Sequence, residues 1–563
     1  MNTVFPLIRC TTVLIETSPQ AMPLAAACIA AAVKHHPATA GRFRTDVQAF
    51  SKEDGVTAES VAAGLLSGEM PACICFSVYV WNRQILEQSA VLIKQRHPEI
   101  VCLAGGPEIT ADPFTSGSFD YCIAGAGENA VPELIAALWQ QHVSGLSVPA
   151  ALPPYVYRNR EPARPVVHAP SCRADLLVSP WLDGDIDPSV YDGALWELAR
   201  GCPYRCSYCY ESKGEKKIAY FPEERIEQEL DLFNRKKIAQ VFVLDPTYNA
   251  DKARALRMLR MIRQKAPGMF FYFEGRAELI DRELAKAFAS IPCALQIGLQ
   301  SAHEDVLKNV HRTLDKKLFV RNIGYLNDAG AVFGFDLIYG LPGDSLSGFR
   351  ESVDFALSLY PNNLELFCLS VLPGTDLGDH AQELGLIWQH EPPYNVQSST
   401  SFSAENIGRA EELSHACSIF YNQGRAVPWF LSIIYPLHIK PSAFFEDFSS
   451  WLILHGKDPA AADKDCLAHI EVEKLQLDFI RSKYAEKHLE RQTAAVEDII
   501  RLNGALSRTQ SDGTEQTVQL HYHPDDLMSQ YASDISFFVR NAKPQKCTAR
   551  TFMTQNGADW KTV

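Results

Sequence analysis

The 563-residue sequence lacks a hydrophobic run long enough to cross a bilayer. The longest, near Met22–Val33, contains Pro23 and falls short of the roughly 20 residues a spanning helix needs. It also lacks a basic excess. Lys and Arg number 53 against 67 Asp and Glu, a net charge of −14, which disfavours nucleic acid as a main partner. The start, Met1-Asn-Thr-Val-Phe-Pro6, has no basic region of the kind that opens an export signal, so a cytoplasmic location is expected. Internal repeats and low-complexity tracts are missing too. With 47% apolar and 21% charged residues, wholesale disorder, collagen and coiled coil are excluded. At roughly 150 residues per domain the length allows about three or four domains.

Cysteine is present in quantity, with 15 residues. Most sit singly in apolar stretches, as Cys28, Cys73, Cys75, Cys102, Cys293 and Cys368 do, and read as small buried hydrophobes. Three differ: Cys202, Cys206 and Cys209 crowd into the polar, aromatic run Arg200-Gly-Cys-Pro-Tyr-Arg-Cys-Ser-Tyr-Cys-Tyr210. An odd cluster in a chain without an export signal points to a metal site rather than disulfides.

Apolar runs and helical patterns alternate through residues 1–150. Short strands are expected at Val13–Glu16, Ala72–Ser77, Ile100–Ala104 and Tyr121–Ala124, with helices at Leu24–His35 and Arg83–Arg96. This order predicts a parallel sheet with crossover helices. Its strands end in Gly105-Gly106-Pro107 and Gly125-Ala-Gly127-Glu128, where an open α/β sheet binds ligands. Residues 151–190 are proline-rich and read as a linker. Six strand–helix units over residues 191–385 are too few for a closed eight-fold barrel and predict an open, partial one. Residues 386–563 read as mainly α-helical, with aromatic stretches as core and an irregular last ~60 residues.

Three thiolates on one tight loop suit a [4Fe–4S] cluster whose fourth iron is left open to a small molecule. Structural zinc needs a fourth ligand, and the next thirty residues offer neither Cys nor His. Zinc or inert thiols remain the alternatives at this point.

Cys202-x3-Cys206-x-Tyr208-Cys209 resembles the signature of radical S-adenosylmethionine (SAM) enzymes. The likeness continues in Phe273-Glu274-Gly-Arg276, in Ile297-Gly-Leu-Gln300-Ser301 with His311-Arg312, and in Asp336-Leu-Ile-Tyr-Gly-Leu-Pro-Gly343. It implies that Tyr208, Glu274, Arg276, Gln300, Ser301, Arg312 and Asp336 contact SAM. In the family, SAM chelates the open iron and is reductively cleaved to a 5′-deoxyadenosyl radical that abstracts hydrogen from an unactivated carbon. Asp245-Pro-Thr-Tyr248-Asn249 resembles a further segment of the same branches, and Asp245, Tyr248 and Asn249 are its candidate catalytic residues.

The N-terminal region then resembles the cobalamin-binding domain of B12-dependent radical SAM proteins. The resemblance assigns Ser77, Tyr79, Trp81, Asn82, Gly105, Gly106, Pro107, Glu108, Gly125, Gly127 and Glu128 to cobalamin. The Asp-x-His-x-x-Gly loop that supplies a lower axial histidine elsewhere is absent. His35-His36 reads as a surface pair, and Arg83, Tyr79 and Trp81 are candidates to face the lower side of cobalt. The order of segments resembles the B12-binding radical SAM group with a C-terminal DUF4080 region. The expected function is methyl transfer to an unactivated carbon through methylcobalamin. Cyclisation, ring contraction or oxidation without methyl transfer is one alternative, and a non-catalytic corrinoid or redox sensor is another. The expected partners are a small-molecule or peptide substrate and a reductant such as flavodoxin or ferredoxin.

Overall fold

The computed structural model describes residues 5–15, 21–114, 117–144, 152–191, 193–213, 217–555 and 557–563. The chain divides into two compact units. The first holds residues 1–295, 310–312 and 370–396, the second 296–309, 313–369 and 397–563.

The first unit opens with a six-stranded sheet of β1 (Leu7–Leu14), β2 (Arg44–Ser51), β3 (Cys73–Ser77), β4 (Val101–Gly105), β5 (Tyr121–Ile123) and β6 (Val156–Arg158), in the order β2-β1-β3-β4-β5-β6. All pairings are parallel except β5 with β6. The order 2-1-3-4-5 is that of a doubly wound sheet whose ligand crevice lies between β1 and β3, where the chain switches direction. Leu24–His35 is helical because seven of its twelve residues are alanine or leucine and its last turn carries Lys34 and His35. Apolar clusters cover both faces: Ile74, Cys102 and Cys122 pack on one, Cys10, Cys73 and Cys75 on the other. The isolated cysteines of this sheet are thus core residues, as expected.

β2 was not foreseen. It is an edge strand of half-buried polar residues, RTDVQAFS, held by the nearly buried Arg9 of β1, which donates to Asp46 at 2.8–3.1 Å. The proline-rich residues 151–190, expected to be a linker, supply β6, because Tyr157 is fully buried against this sheet.

A second sheet follows, of β7 (Gly193–Trp196), β8 (Gln240–Val243), β9 (Phe270–Gly275), β10 (Cys293–Gln300), β11 (Val332–Tyr339) and β12 (Asn363–Cys368). In the first unit its order is β10-β9-β8-β7, in the second β12-β11-β10, the strand β10 running through both. Each strand is followed by a helix, as in a partial barrel. One side of the strands is buried, as at Val241, Phe271, Ile297 and Leu337; the other is left more open, as at Phe242, Tyr272 and Phe367.

The second unit continues into helices Ala404–Cys417, Pro441–Leu454, His469–Glu486 and Glu490–Asp512. Phe420, Phe444, Phe445, Phe448 and Phe479 form their buried aromatic centre, so the aromatic stretches are core. The tail expected to be irregular is a three-stranded antiparallel sheet of Gln516–Leu520, Cys547–Thr554 and Gly557–Thr562. Gly513, at φ 67°, ends the preceding helix and turns the chain into it.

Candidate active site and cofactor cleft

A cleft of about 860 Å³ opens at the C-terminal edge of the first sheet. On one side lie Thr12, Leu14, Ser77, Tyr79, Trp81, Gly105, Gly106, Pro107, Gly125 and Gly127; on the other lie Leu195, Glu197, Arg200, Tyr210, Glu211 and Leu244, which flank the cysteine loop. Nine of the eleven residues assigned to cobalamin line it: Ser77, Tyr79, Trp81, Gly105, Gly106, Pro107, Gly125, Gly127 and Glu128.

The other two do not. Asn82 is 1% exposed and staples its own loop: its amide donates to Thr12 Oγ1, Val13 O and Ser77 O at 2.9–3.2 Å, and its Oδ1 accepts from Tyr79 N–H at 2.8 Å. Glu108 is 4% exposed and accepts from Arg83 Nη1 at 3.0 Å and from Tyr394 Oη at 2.7 Å. Arg83 is therefore a buried ion-pair partner and does not line the cleft. Tyr79 and Trp81 remain, stacked at 4.5 Å between centroids and 4° between planes, with Trp81 Nε1 donating to Val13 O. Glycine is required at two turns by the protein's own backbone. A Cβ on Gly106, at φ 108°, would stand 2.5 Å from Val78 O, and one on Gly125, at φ 96°, 2.6 Å from Ala169 N. His35 is exposed and bonds Asp183 at 2.7 Å; with His36 it borders a smaller cavity of about 370 Å³.

The cysteine loop leaves β7 under tight control. The Asp245 carboxylate, at the end of β8, accepts from Leu198 N–H and Ala199 N–H at 2.8 and 2.9 Å. Burial pushes its pKa up to about 7, against those two bonds. Asn249 reaches Arg276 with both ends of its amide, donating to the carbonyl at 2.9 Å and accepting from the N–H at 3.0 Å. Tyr248 is buried against Phe273 and donates to Ala255 O at 3.3 Å. Asp245, Tyr248 and Asn249, expected as catalytic residues, thus brace backbone and core: one Asp245 oxygen, the Tyr248 hydroxyl and both ends of the Asn249 amide are engaged within the protein.

Within the loop Cys206 is buried and Cys202 and Cys209 are half-buried. Burial pushes the Cys209 thiol up to about 11, and Cys206 and Cys202 add to this, so all three thiols share one neighbourhood. Among the described residues no three His, Cys, Asp or Glu side chains converge as on a single ion. A cubane asks for something else, since each thiolate takes its own iron. Arg312 Nη1 donates to Tyr208 Oη at 3.0 Å and lies 3.9 Å from Cys206 Sγ. The Arg276 guanidinium sits 3.8 Å above the Tyr204 ring and pairs with Glu278, holding the loop's outer turn. Glu274 is exposed on the open side of β9. Arg200, not foreseen, donates to Glu128 and Glu197 and so ties the loop to the first sheet's last cleft turn. Its place directly before Gly201-Cys202 was the only signal available.

In the second unit, Gln300 sits at φ 68° and is 8% exposed, with its Oε1 buried and without a partner. An unsatisfied buried amide in a costly backbone conformation is what a ligand site leaves open. Asp336 Oδ1 accepts from Gln296 at 2.6 Å on the more open side of β11. Ser301 is corrected: it is fully buried, and its hydroxyl accepts from His303 N–H at 3.1 Å, which makes it a turn residue.

Comparison with known proteins bears on this geometry. Residues 196–356 match the Radical SAM superfamily. That segment runs from the end of β7 across the cysteine loop to the helix after β11. The chain is 27% identical over 386 residues to the 2-(S-pantetheinyl)-carbapenam-3-carboxylate methyltransferase of Streptantibioticus cattleyicolor, covering 63% of this chain and 54% of that protein. It is 28% identical over 338 residues to the cobalamin-dependent radical SAM methyltransferase TokK of Streptomyces tokunonensis, covering 54% and 48%. The chain thus spans about half the length of these relatives. In fold it is similar to the cobalamin-dependent SAM radical enzyme OxsB, with TM-score 0.56 and 13% identity over 95% of this chain and 83% of that one. It is also similar to the radical SAM methyltransferase TsrM of Kitasatospora setae, with TM-score 0.55 and 16% identity over 70% and 80%. The α/β architecture, a Rossmann-like sheet followed by a barrel-like one and a helical region, agrees with those structures. No helix among the described residues is long and apolar enough to cross a membrane.

Proposed function

We propose that this chain is a cobalamin-dependent radical SAM methyltransferase acting on an unactivated carbon. The observation that carries the reading is the cleft of about 860 Å³, bounded by the first sheet's turns on one side and by the flanks of the cysteine loop on the other. A corrin placed there would lie beside the cluster loop. On this reading residues 1–150 serve cobalamin, 191–385 serve the cluster and SAM, and 386–563 form the helical remainder of DUF4080 type.

The residues present fit the three groups. Cys202, Cys206 and Cys209 would hold a [4Fe–4S] cluster; Tyr208 and Arg312 beside them would take SAM; and the Ser77–Trp81, Gly105–Pro107 and Gly125–Glu128 turns would take cobalamin. When bound, the cluster and SAM supply a 5′-deoxyadenosyl radical and cobalamin carries the methyl group. The chain's own work is orientation. Arg312 offers a fork that matches a carboxylate, and the Gln300 amide offers an unmet acceptor. Tyr79 and Trp81 present a flat apolar wall suited to the lower face of a corrin. The substrate is a small molecule or peptide, the electrons come from a flavodoxin- or ferredoxin-like protein, and the setting is the cytoplasm.

Anaerobically reconstituted protein, given SAM, hydroxocobalamin and a reductant, is expected to form 5′-deoxyadenosine together with S-adenosylhomocysteine. Deoxyadenosine without S-adenosylhomocysteine would reject methyl transfer and favour ring or oxidative chemistry.

A further inference from the structure

Ser370–Val396 packs with the first unit, although the residues on either side of it in sequence belong to the second. The stretch closes on itself. Ser370 Oγ donates to Asn395 Oδ1 at 3.0 Å, and Val371 N–H donates to Tyr394 O at 2.8 Å. Toward one end, Leu377 N–H donates to Ser207 O at 2.8 Å, inside the cysteine loop. Ser207 N–H in turn donates to Val310 O at 3.2 Å, two residues before Arg312. Thr375, fully buried, caps the short helix Asp376–Asp379 that carries Leu377, its hydroxyl accepting from Gly378 N–H at 3.0 Å.

Toward the other end, Tyr394 Oη donates to Glu108 at 2.7 Å, two residues beyond the cleft turn at Gly106. Arg83, which starts the helix after the Ser77–Asn82 loop, donates to the same Glu108 oxygen at 3.0 Å. Tyr394 is 4% exposed and sits at φ 61°, a left-handed conformation that is costly for a bulky side chain and persists only where its surroundings hold it. One stretch of chain therefore grips both the cysteine loop and the cleft turn, and none of Ser207, Leu377, Glu108 and Tyr394 lines the cleft.

We propose that Ser370–Val396 is a clasp that fixes the spacing between the cysteine loop and the cobalamin-facing turns, with Tyr394 as its positioning residue. The need for such a device rests on the function proposed above: two cofactors that share a substrate must be held in register, because an error of about 1 Å can cost roughly 100-fold in rate.

The test is hydrogen exchange followed by mass spectrometry on the full-length chain, wild type against Tyr394→Phe, with hydroxocobalamin titration alongside. The clasp predicts exchange about tenfold faster in both 105–112 and 206–209, with 469–512 unchanged. Thr375→Val, which loosens the opposite end, should give the same paired response. Ile387→Ser, at a 60% exposed position of the same stretch, should behave as wild type. Hydroxocobalamin should bind Tyr394→Phe several-fold more weakly, with iron content per chain unchanged. A response confined to 105–112, no response, or faster exchange everywhere would overturn the clasp. If the wild type binds no hydroxocobalamin, the cofactor reading fails, while the exchange comparison still decides the clasp.

Discussion

Replacing Asp245 by asparagine separates its two effects, bracing and charge. One carboxylate oxygen accepts from Leu198 N–H and Ala199 N–H, and this fixes the chain two residues before Gly201-Cys202. Asparagine keeps an acceptor there, so Asp245→Asn should retain the loop. Alanine removes it and strands two buried N–H groups, at about 1–3 kcal/mol each. The charge works the other way. Burial raises the carboxyl to about 7 in the folded chain, against about 4 when unfolded. The folded state therefore binds the extra proton, and Asp245 costs stability progressively as pH rises from 4 to 7. By linkage, the stability of Asp245→Asn relative to wild type should improve by about 2–3 kcal/mol between pH 5 and pH 8. Urea unfolding of the apo protein at the two pH values measures this difference directly, and comparing the two chains cancels every other titrating group. Reconstituted iron per chain should be kept in Asp245→Asn and fall in Asp245→Ala. A difference independent of pH would refute the burial argument, and an Asp245→Ala variant with full iron and wild-type stability would refute the bracing argument.

Cys206→Ser should lose more than about nine-tenths of the reconstituted iron and the accompanying absorption, since two thiolates hold a cubane poorly. Arg312→Lys keeps the charge but loses the fork, so SAM binding by equilibrium dialysis should weaken about tenfold, with iron content unchanged. Gly106→Ala places a Cβ 2.5 Å from Val78 O at φ 108° and should destabilise by about 1–3 kcal/mol and weaken hydroxocobalamin binding, read by absorbance titration. Asn82→Ala leaves Tyr79 N–H unmet and removes the bonds to Thr12, Val13 and Ser77 that hold this loop, and should cost about 1–3 kcal/mol by urea unfolding.

The helices Leu24–His35 and Arg83–Arg96 could be read from periodicity to the residue, because each is apolar on a repeating face. β2 escaped that reading: an edge strand of RTDVQAFS has no strongly apolar face, and it depends on Arg9 reaching Asp46, 37 positions away. The C-terminal sheet escaped because its first strand, Gln516–Leu520, pairs with Cys547–Thr554 across the helical segments between them. Cys202, Cys206 and Cys209 were legible because their chemistry depends on local spacing alone. Asn82, Glu108, Asp245, Asn249 and Ser301 have structural roles that spacing did not reveal, for one shared reason. A polar residue at a strand end looks the same in sequence whether it faces a ligand or satisfies backbone, and only the partner's position distinguishes the two.

The sequence by itself determined the cysteine loop, the alternation of strands and helices, and the glycine turns, all of which follow from short-range spacing and residue type. Tertiary structure alone decided which polar side chains line the cleft, that Arg200 ties the loop to Glu128, and that Ser370–Val396 returns to hold both. Those outcomes rest on contacts between residues far apart in the chain, where burial decides whether a polar group must find its partner within the protein or can face the cleft.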